Sequence, residues 1–220
     1  MSTDVQIFLT AAAAGVVAGS AIEQDGDGTR GRVLDAAVTE AAAQGLHGLT
    51  MDRVSRRAGV NRATVYRYFG DRDGLLEALA LREGWRIAAR IAEAAGSITD
   101  PYLRFIEACS LALHLTHSHP IVQRTARMEP QALIDAGLAG DAGMLRIVAH
   151  IIAADLADAQ TQGVAQHVDA ELAGETVARL LASFILLPGG AINLDDEPAV
   201  RRYIEGTLAP MVLGPRPQQG

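Results

Sequence analysis

The sequence predicts an all-α fold. Aromatic residues make up only 4% of the chain, no segment shows the apolar–polar alternation of a half-buried strand, and apolar residues recur at helical spacing between recognisable caps and breakers. At 220 residues the chain is long enough to bury a full core, in one domain or two.

The elements follow in order. Residues 5–22, VQIFLTAAAAGVVAGSAI, are apolar, but a secretory leader needs a positive flank and the only charge before them is Asp4. A membrane span needs about twenty strongly apolar residues with basic anchors, whereas this stretch is mostly alanine and glycine. The expectation is a docked or frayed extra helix, followed by a polar glycine-rich linker, EQDGDGT. From Thr29 a helical period places Leu34, Val38 and Ala41 inward, and Gly45 stops it. Leu46 and Leu49 read as core plugs in the connection. Thr50 is an N-cap for a short helix, MDRVSRRA, with Asp52 in its first turn and Val54 and Ala58 inward. Gly59-Val60 breaks that helix, Asn61 caps a third, RATVYRYF, and Gly70 ends it. Asp71 caps a long fourth helix over residues 72–94.

Two short helices joined through Ala58-Gly59-Val60 read as a helix-turn-helix. The glycine allows the tight turn, Val60 anchors it, and Ala58 permits close helix approach. The second helix of such a pair can lie in the major groove of DNA. Charge agrees with this. The net charge is -7, yet residues 1–28 carry -4, residues 29–90 carry +4 and residues 91–220 carry -7. One basic segment thus stands between acidic ones, as expected where one part of a chain meets nucleic acid and the rest does not. All 19 basic residues are arginine, whose planar fork suits bidentate phosphate contact.

Over residues 49–79, LTMDRVSRRAGVNRATVYRYFGDRDGLLEAL, the sequence resembles the tetracycline-repressor (TetR) family. The family's order of elements is present without gaps: a threonine, a short helix, Ala-Gly-Val, a recognition helix ending in Tyr-x-Tyr/His-Phe, then a basic residue and the start of helix four. With helix one included, the resemblance covers about residues 29–86. It implies a sequence-specific transcription regulator with residues 1–28 as an extension and linker, 29–76 as the DNA-binding domain, and 77–220 as a helical ligand-binding and dimerisation domain. It implies DNA contact by Thr50, Arg53, Asn61, Arg62, Thr64, Tyr66, Arg67, Tyr68 and Arg72. Thr50 and Asn61 stand at helix N-termini, where amides meet phosphate. Tyr66 and Tyr68 match the family's phosphate-contacting hydroxyls, and Arg72 replaces the basic residue, often lysine, that opens helix four. Arg62, Thr64 and Arg67 are candidates for base edges. Phe69, Val54, Val60, Val65 and Leu75 read as packing residues, and Arg56 and Arg57 as either phosphate contacts or solvated charges.

Beyond helix four, Asp100-Pro101 opens the next helix, PYLRFIEACSLALHLTHS, which His119-Pro120 breaks. Short helices are expected near residues 121–126 and 130–137, and long ones over 141–162 and 169–187. A last helix starts at Pro198; the look of this tail resembles actinobacterial members of the family. The second of the long pair is apolar nearly all round from Leu180 to Leu187, and Ala149, Ala153 and Ala157 on the first allow close approach. The family's homodimer interface is a four-helix bundle of two such helices from each chain, here with Ile152, Leu156, Leu180, Phe184 and Leu187. An intramolecular core is the alternative use of those residues. The family's ligand pocket would be lined by Trp85, Phe105, Cys109, Leu113, Ile121, Met128 and Met144, suiting a small apolar effector; the same residues at helical spacing also suit plain core.

The expected function is a repressor of palindromic double-stranded DNA released by such a ligand; an activator or global regulator of the same fold without an inducer is the alternative. No nucleophile elbow, phosphate-cradling glycine loop or HExxH motif points to an enzyme. No cofactor or metal is expected: His114, His117 and His119 lack an acid or a second pair at ligand spacing. The single cysteine, Cys109, permits no disulfide within one chain and fits the reducing cytoplasm.

Overall fold

The computed structural model describes residues 4, 11, 28–137 and 143–216, and every regular element among them is helical. These elements are α1 (Thr29–Gln44), α2 (Met51–Ala58), α3 (Arg62–Phe69), α4 (Arg72–Ala95), α5 (Pro101–Ser118), α6 (Pro120–Met128), α7 (Pro130–Gly137), α8 (Met144–Thr161), α9 (Ala170–Leu186), α10 (Glu197–Tyr203) and α11 (Ala209–Leu213). A π turn, Ile204–Leu208, joins the last two. It lets the helix continue towards Pro210, which has no N–H to give to an i-4 carbonyl. The extra helix expected over residues 5–22 lies, apart from Ala11, outside the described residues, as does the expected helix start at Asp141.

The described residues fall into two compact units. One comprises residues 1–86 and 119–144, the other residues 87–118 and 145–220. In the first, α1 packs on α2 and on α6, and α2 on α3. Val33, Leu34 and Ala37 of α1, Val54 of α2, Val65 of α3, and Leu75, Leu76 and Leu79 of α4 are completely buried together. Leu46 and Leu49 fill the connection between α1 and α2, and Ile121 of α6 joins the same core. Each such leucine contributes roughly 1.5–3 kcal/mol through burial.

A polar chain, buried at Arg82 and Glu83 and open to solvent at Asp35, crosses this unit. Arg82 is 4% exposed; its Nε donates to Glu83 Oε1 at 2.9 Å and its Nη1 to Asp35 Oδ1 of α1 at 2.8 Å. Glu83 Oε2 lies 3.3 Å from Nε2 of His119, the residue before α6. Burial pulls the Glu83 carboxyl upward, but the His119 hydrogen bond and the charges of Arg82, Arg86 and His119 outweigh it and hold the group below its ordinary value.

In the second unit, Phe105, Ile106, Cys109 and Leu113 of α5 meet Leu156 of α8, Val177 and Leu181 of α9, and Val200, Ile204 and Leu208 from the C-terminal helices. Gly174 sets the α8–α9 approach: a Cβ there would lie 2.6 Å from the Ala149 carbonyl oxygen and 3.0 Å from the Ala153 Cβ. Arg104 of α5 clamps α8 through Asp155 at 2.7 Å and Asp158 at 2.8 Å.

Candidate nucleic-acid interface

The helix-turn-helix is built by local chemistry. Thr50 has extended backbone and its hydroxyl accepts the Arg53 N–H at 3.3 Å, closing the N-terminus of α2. At the other end Gly59 adopts φ 65°, ψ 34°, a left-handed conformation that a side chain would strain. Val60 then packs against the core. Asn61 Oδ1 accepts the Ala63 N–H at 2.9 Å and starts α3. Val65 and Phe69 point that helix inward, leaving its other face to solvent.

The solvent-facing surfaces of α2 and α3 and their caps carry most of the residues singled out in the sequence. Thr50, Arg53, Asn61, Arg62, Tyr66, Arg67 and Tyr68 are exposed, and Thr64 is half-buried. Tyr66 and Tyr68, at 38% and 41% exposed, present their hydroxyl-bearing rings at the surface despite their size. Arginine and tyrosine alternate in pairs: the Arg62 guanidinium sits 5.3 Å from the Tyr66 ring centroid and Arg67 sits 5.3 Å from that of Tyr68. Arg62 also donates to the Tyr66 hydroxyl at 3.0 Å and pairs with Asp52 at 3.0 Å. The hydrogen bond to Tyr66, then the charge of Asp52, raises the Arg62 pKa above its ordinary value. These exposed contacts hold the side chains loosely, since surface ion pairs contribute little. Of the two arginines left open at the end of α2, Arg57 donates to Glu40 of α1 at 2.6 Å and Arg56 to the Asp52 carbonyl at 3.2 Å.

Arg72 stands apart from this open set. Its Nε donates to the Leu49 carbonyl at 2.9 Å and its Nη2 to the Leu46 carbonyl at 2.8 Å. Its outer edge forms a two-toothed bond with Asp4, at 2.6 and 2.7 Å. Sequence reasoning gave Arg72 a phosphate contact and gave Asp4 no role; nothing in linear order signals a pair 68 residues apart.

The residues assigned to a ligand pocket divide between the two units. Ile121 and Met144 pack with the first core; Phe105, Cys109 and Leu113 belong to the second. Trp85 is half-buried, and Met128 is 64% exposed. Burial, with Asp155 nearby, pushes the Cys109 thiol up, so it stays protonated and unreactive at neutral pH. Of the residues assigned to a dimer face, Leu156 is fully buried in the core of its own unit. Ile152, Leu180 and Phe184 are half-buried, with Phe184 edge-on to Tyr203 at 5.2 Å, and Leu187 is 74% exposed. The three histidines turn to separate partners: His114 to the Leu194 carbonyl, His117 to Asp195 and His119 to Glu83. Among the described residues no group of three or more His, Cys, Asp or Glu could hold a metal ion, and no helix is long and apolar enough to cross a membrane.

Comparison with known proteins locates this geometry. Residues 33–79 match the family of bacterial regulatory proteins described as the tetR family. The helix-turn-helix part of this chain is thus similar to that of the tetR family. It is 27% identical over 184 residues to the HTH-type transcriptional regulator Rv1255c of Mycobacterium tuberculosis, covering 82% of this chain and 84% of that one. A shorter stretch of 84 residues is 37% identical to the HTH-type transcriptional regulator BetI of Burkholderia thailandensis, over 37% of this chain and 43% of BetI. Among solved structures, a TetR-family regulator from Pectobacterium atrosepticum superposes with a TM-score of 0.63 at 20% identity, covering 87% of this chain and 95% of the other. A TetR-like regulator from Rhodococcus gives 0.54 at 25% identity, over 82% and 93%. The regulator therefore shares with its relatives a helix-turn-helix followed by a helical C-terminal part, and those relatives are transcriptional regulators and not enzymes.

Proposed function

We propose that the regulator is a cytoplasmic repressor that binds palindromic duplex DNA as a homodimer and is released by a small apolar ligand. The observation that carries the DNA reading is the outer face of α2 and α3. Two capped helix N-termini, at Thr50 and Asn61, stand beside exposed Arg53, Arg62, Arg67, Tyr66 and Tyr68. The helix ends and tyrosine hydroxyls suit phosphate oxygens, while arginine suits the O6/N7 edge of guanine. In this reading residues 29–76 form the DNA-binding domain and residues 77–220 bind ligand and dimerise.

Exposed apolar side chains on α8, on α9 and just past its end support the dimer. Ile151, Leu172 and Leu187 are 48%, 68% and 74% exposed, and burying them against a second copy removes apolar surface from water. Two recognition helices about 34 Å apart would then reach successive major grooves. The effector reading rests on the family and on the apolar side chains of α5. A ligand favouring the dimer state with the wrong spacing would empty the operator by population shift, with α4, which supplies residues to both units, as the lever.

Selection of bound duplexes from a random pool tests the DNA reading. Enrichment of an inverted repeat is expected. Recovery of the pool unchanged at low salt would overturn it.

A further inference from the structure

We infer that Asp4 acts as an internal stand-in for a DNA phosphate, so that the N-terminal segment and duplex DNA compete for the outer edge of Arg72. The inference rests on the DNA-binding reading above and adds a mode of regulation to it.

The geometry around Arg72 has two parts. Its inner N–H groups are held by the carbonyls of Leu46 and Leu49, which lock the guanidinium against the α1–α2 connection. Leu49 directly precedes Thr50, the cap of α2, so the guanidinium is fixed one residue from a helix N-terminus on the proposed phosphate-binding side. The outer edge then presents two parallel N–H groups. Carboxylate and phosphate fit such a fork in the same way. Asp4 occupies it with both oxygens, at 2.6 and 2.7 Å, and its Oδ2 also lies 2.5 Å from His47 Nδ1. Four of the five N–H donors of an arginine are thereby engaged, and Asp73 lies 3.6 Å from Nη1. With Asp4 in place, no second anion can take the fork.

The occupant is well suited to the role. Asp4 is 13% exposed at its side chain, and Ala11 packs against the core of the same unit. The hydrogen bond from Arg72, opposed by burial and aided by the charges of Arg72 and His47, holds the Asp4 carboxyl below its ordinary value of 3.8, which keeps it ionised at neutral pH. Residues 1–28 contain four acids and no base, and a duplex would repel such a segment once displaced. Release of Asp4 leaves Arg72 still fixed by its two carbonyls and ready for a phosphate.

The test uses the full chain and a fluorescein-labelled duplex of random sequence, because phosphate contact does not depend on base sequence. Anisotropy gives the affinity between about 50 and 200 mM salt. Asp4→Asn should bind about 3- to 10-fold more tightly, with a salt slope steeper by about 0.9, the share of one added phosphate contact. Asp25→Asn removes the same charge from the same acidic segment and should leave both quantities unchanged. In an Arg72→Gln background the gain from Asp4→Asn should vanish. The Asp4→Asn and Asp25→Asn pair decides the question by itself if Arg72→Gln does not fold. Unchanged or weaker binding by Asp4→Asn, an equal gain from Asp25→Asn, or a gain that persists without Arg72 would overturn the competition while the DNA-binding reading stands. Failure of the wild-type chain and of Asp4→Asn to bind any duplex at low salt would overturn both.

Discussion

Two helix pairs, α2–α3 in the first unit and α8–α9 in the second, differ in the large apolar side chains they leave exposed. In the first, α2 and α3 bury every large aliphatic side chain they own and expose Arg, Thr, Asn and two tyrosines. In the second, α8 and α9 keep a core of their own and still expose Ile151 and Leu172, with Leu187 just past the end of α9. A polar face with charged forks and helix ends is complementary to a polyanion; an apolar face is complementary to another apolar face. The contrast also shows in how the elements are held. α2 and α3 are fixed by a left-handed glycine and by side-chain caps two to three residues away. α8 and α9 are fixed by backbone contact at Gly174.

Four substitutions or conditions sharpen that contrast. The largest effect is expected from Arg82→Ala, which breaks the polar chain from Asp35 to His119 and should cost about 3–5 kcal/mol of folding stability, because the buried Glu83 carboxylate is left underpaired; urea unfolding measures it, and a loss below about 1 kcal/mol would show that solvent reaches the network. Gly174→Ala drives a Cβ into the α8 backbone and should cost about 1–3 kcal/mol. It should also lower dimer affinity in sedimentation while leaving the circular dichroism helical. Arg62→Ala should cost about 1–3 kcal/mol of binding at one position in each half-site and relax the base preference there. Repeating the duplex selection with the variant reads this, and an unaltered preference would assign Arg62 to the backbone.

The smallest effect concerns pH. The folded Glu83 carboxyl lies below its ordinary value of 4.5, so its contribution is complete above that pH and is lost as the pH falls through the lowered folded value. Wild type should therefore lose more stability than Glu83→Gln on acidification below 4.5. Parallel losses would mean that the carboxylate is not stabilised in the fold.

Much of the first unit was legible because its signals are local. Thr50, Gly59, Asn61 and Asp71 act on amides and carbonyls within a few residues, and each does what its side chain or lack of one dictates; Asp71, for example, accepts the Gly74 N–H at 2.9 Å. Asp100 and Asp169 cap α5 and α9 for the same reason. Long-range polar pairs were not legible. Arg72 could be given a charge and a helix position but not the carbonyls of Leu46 and Leu49, nor Asp4. His119 read as a helix breaker and Arg82 and Glu83 had no reading at all; only the folded chain brings His119 to Glu83. In the second unit an apolar residue at helical spacing serves either a core or an interface. Leu156, fully buried, and Leu187, 74% exposed, differ in a way that periodicity does not encode.

Sedimentation of the full chain with a duplex carrying the selected sequence tests the central claim most directly: that one exposed face reads DNA while the other pairs the chains. The account predicts two chains per duplex, and a dimer that persists without DNA and weakens when Leu187 is replaced by a charged residue. One chain per duplex, or a free monomer unaffected by that change, would contradict it.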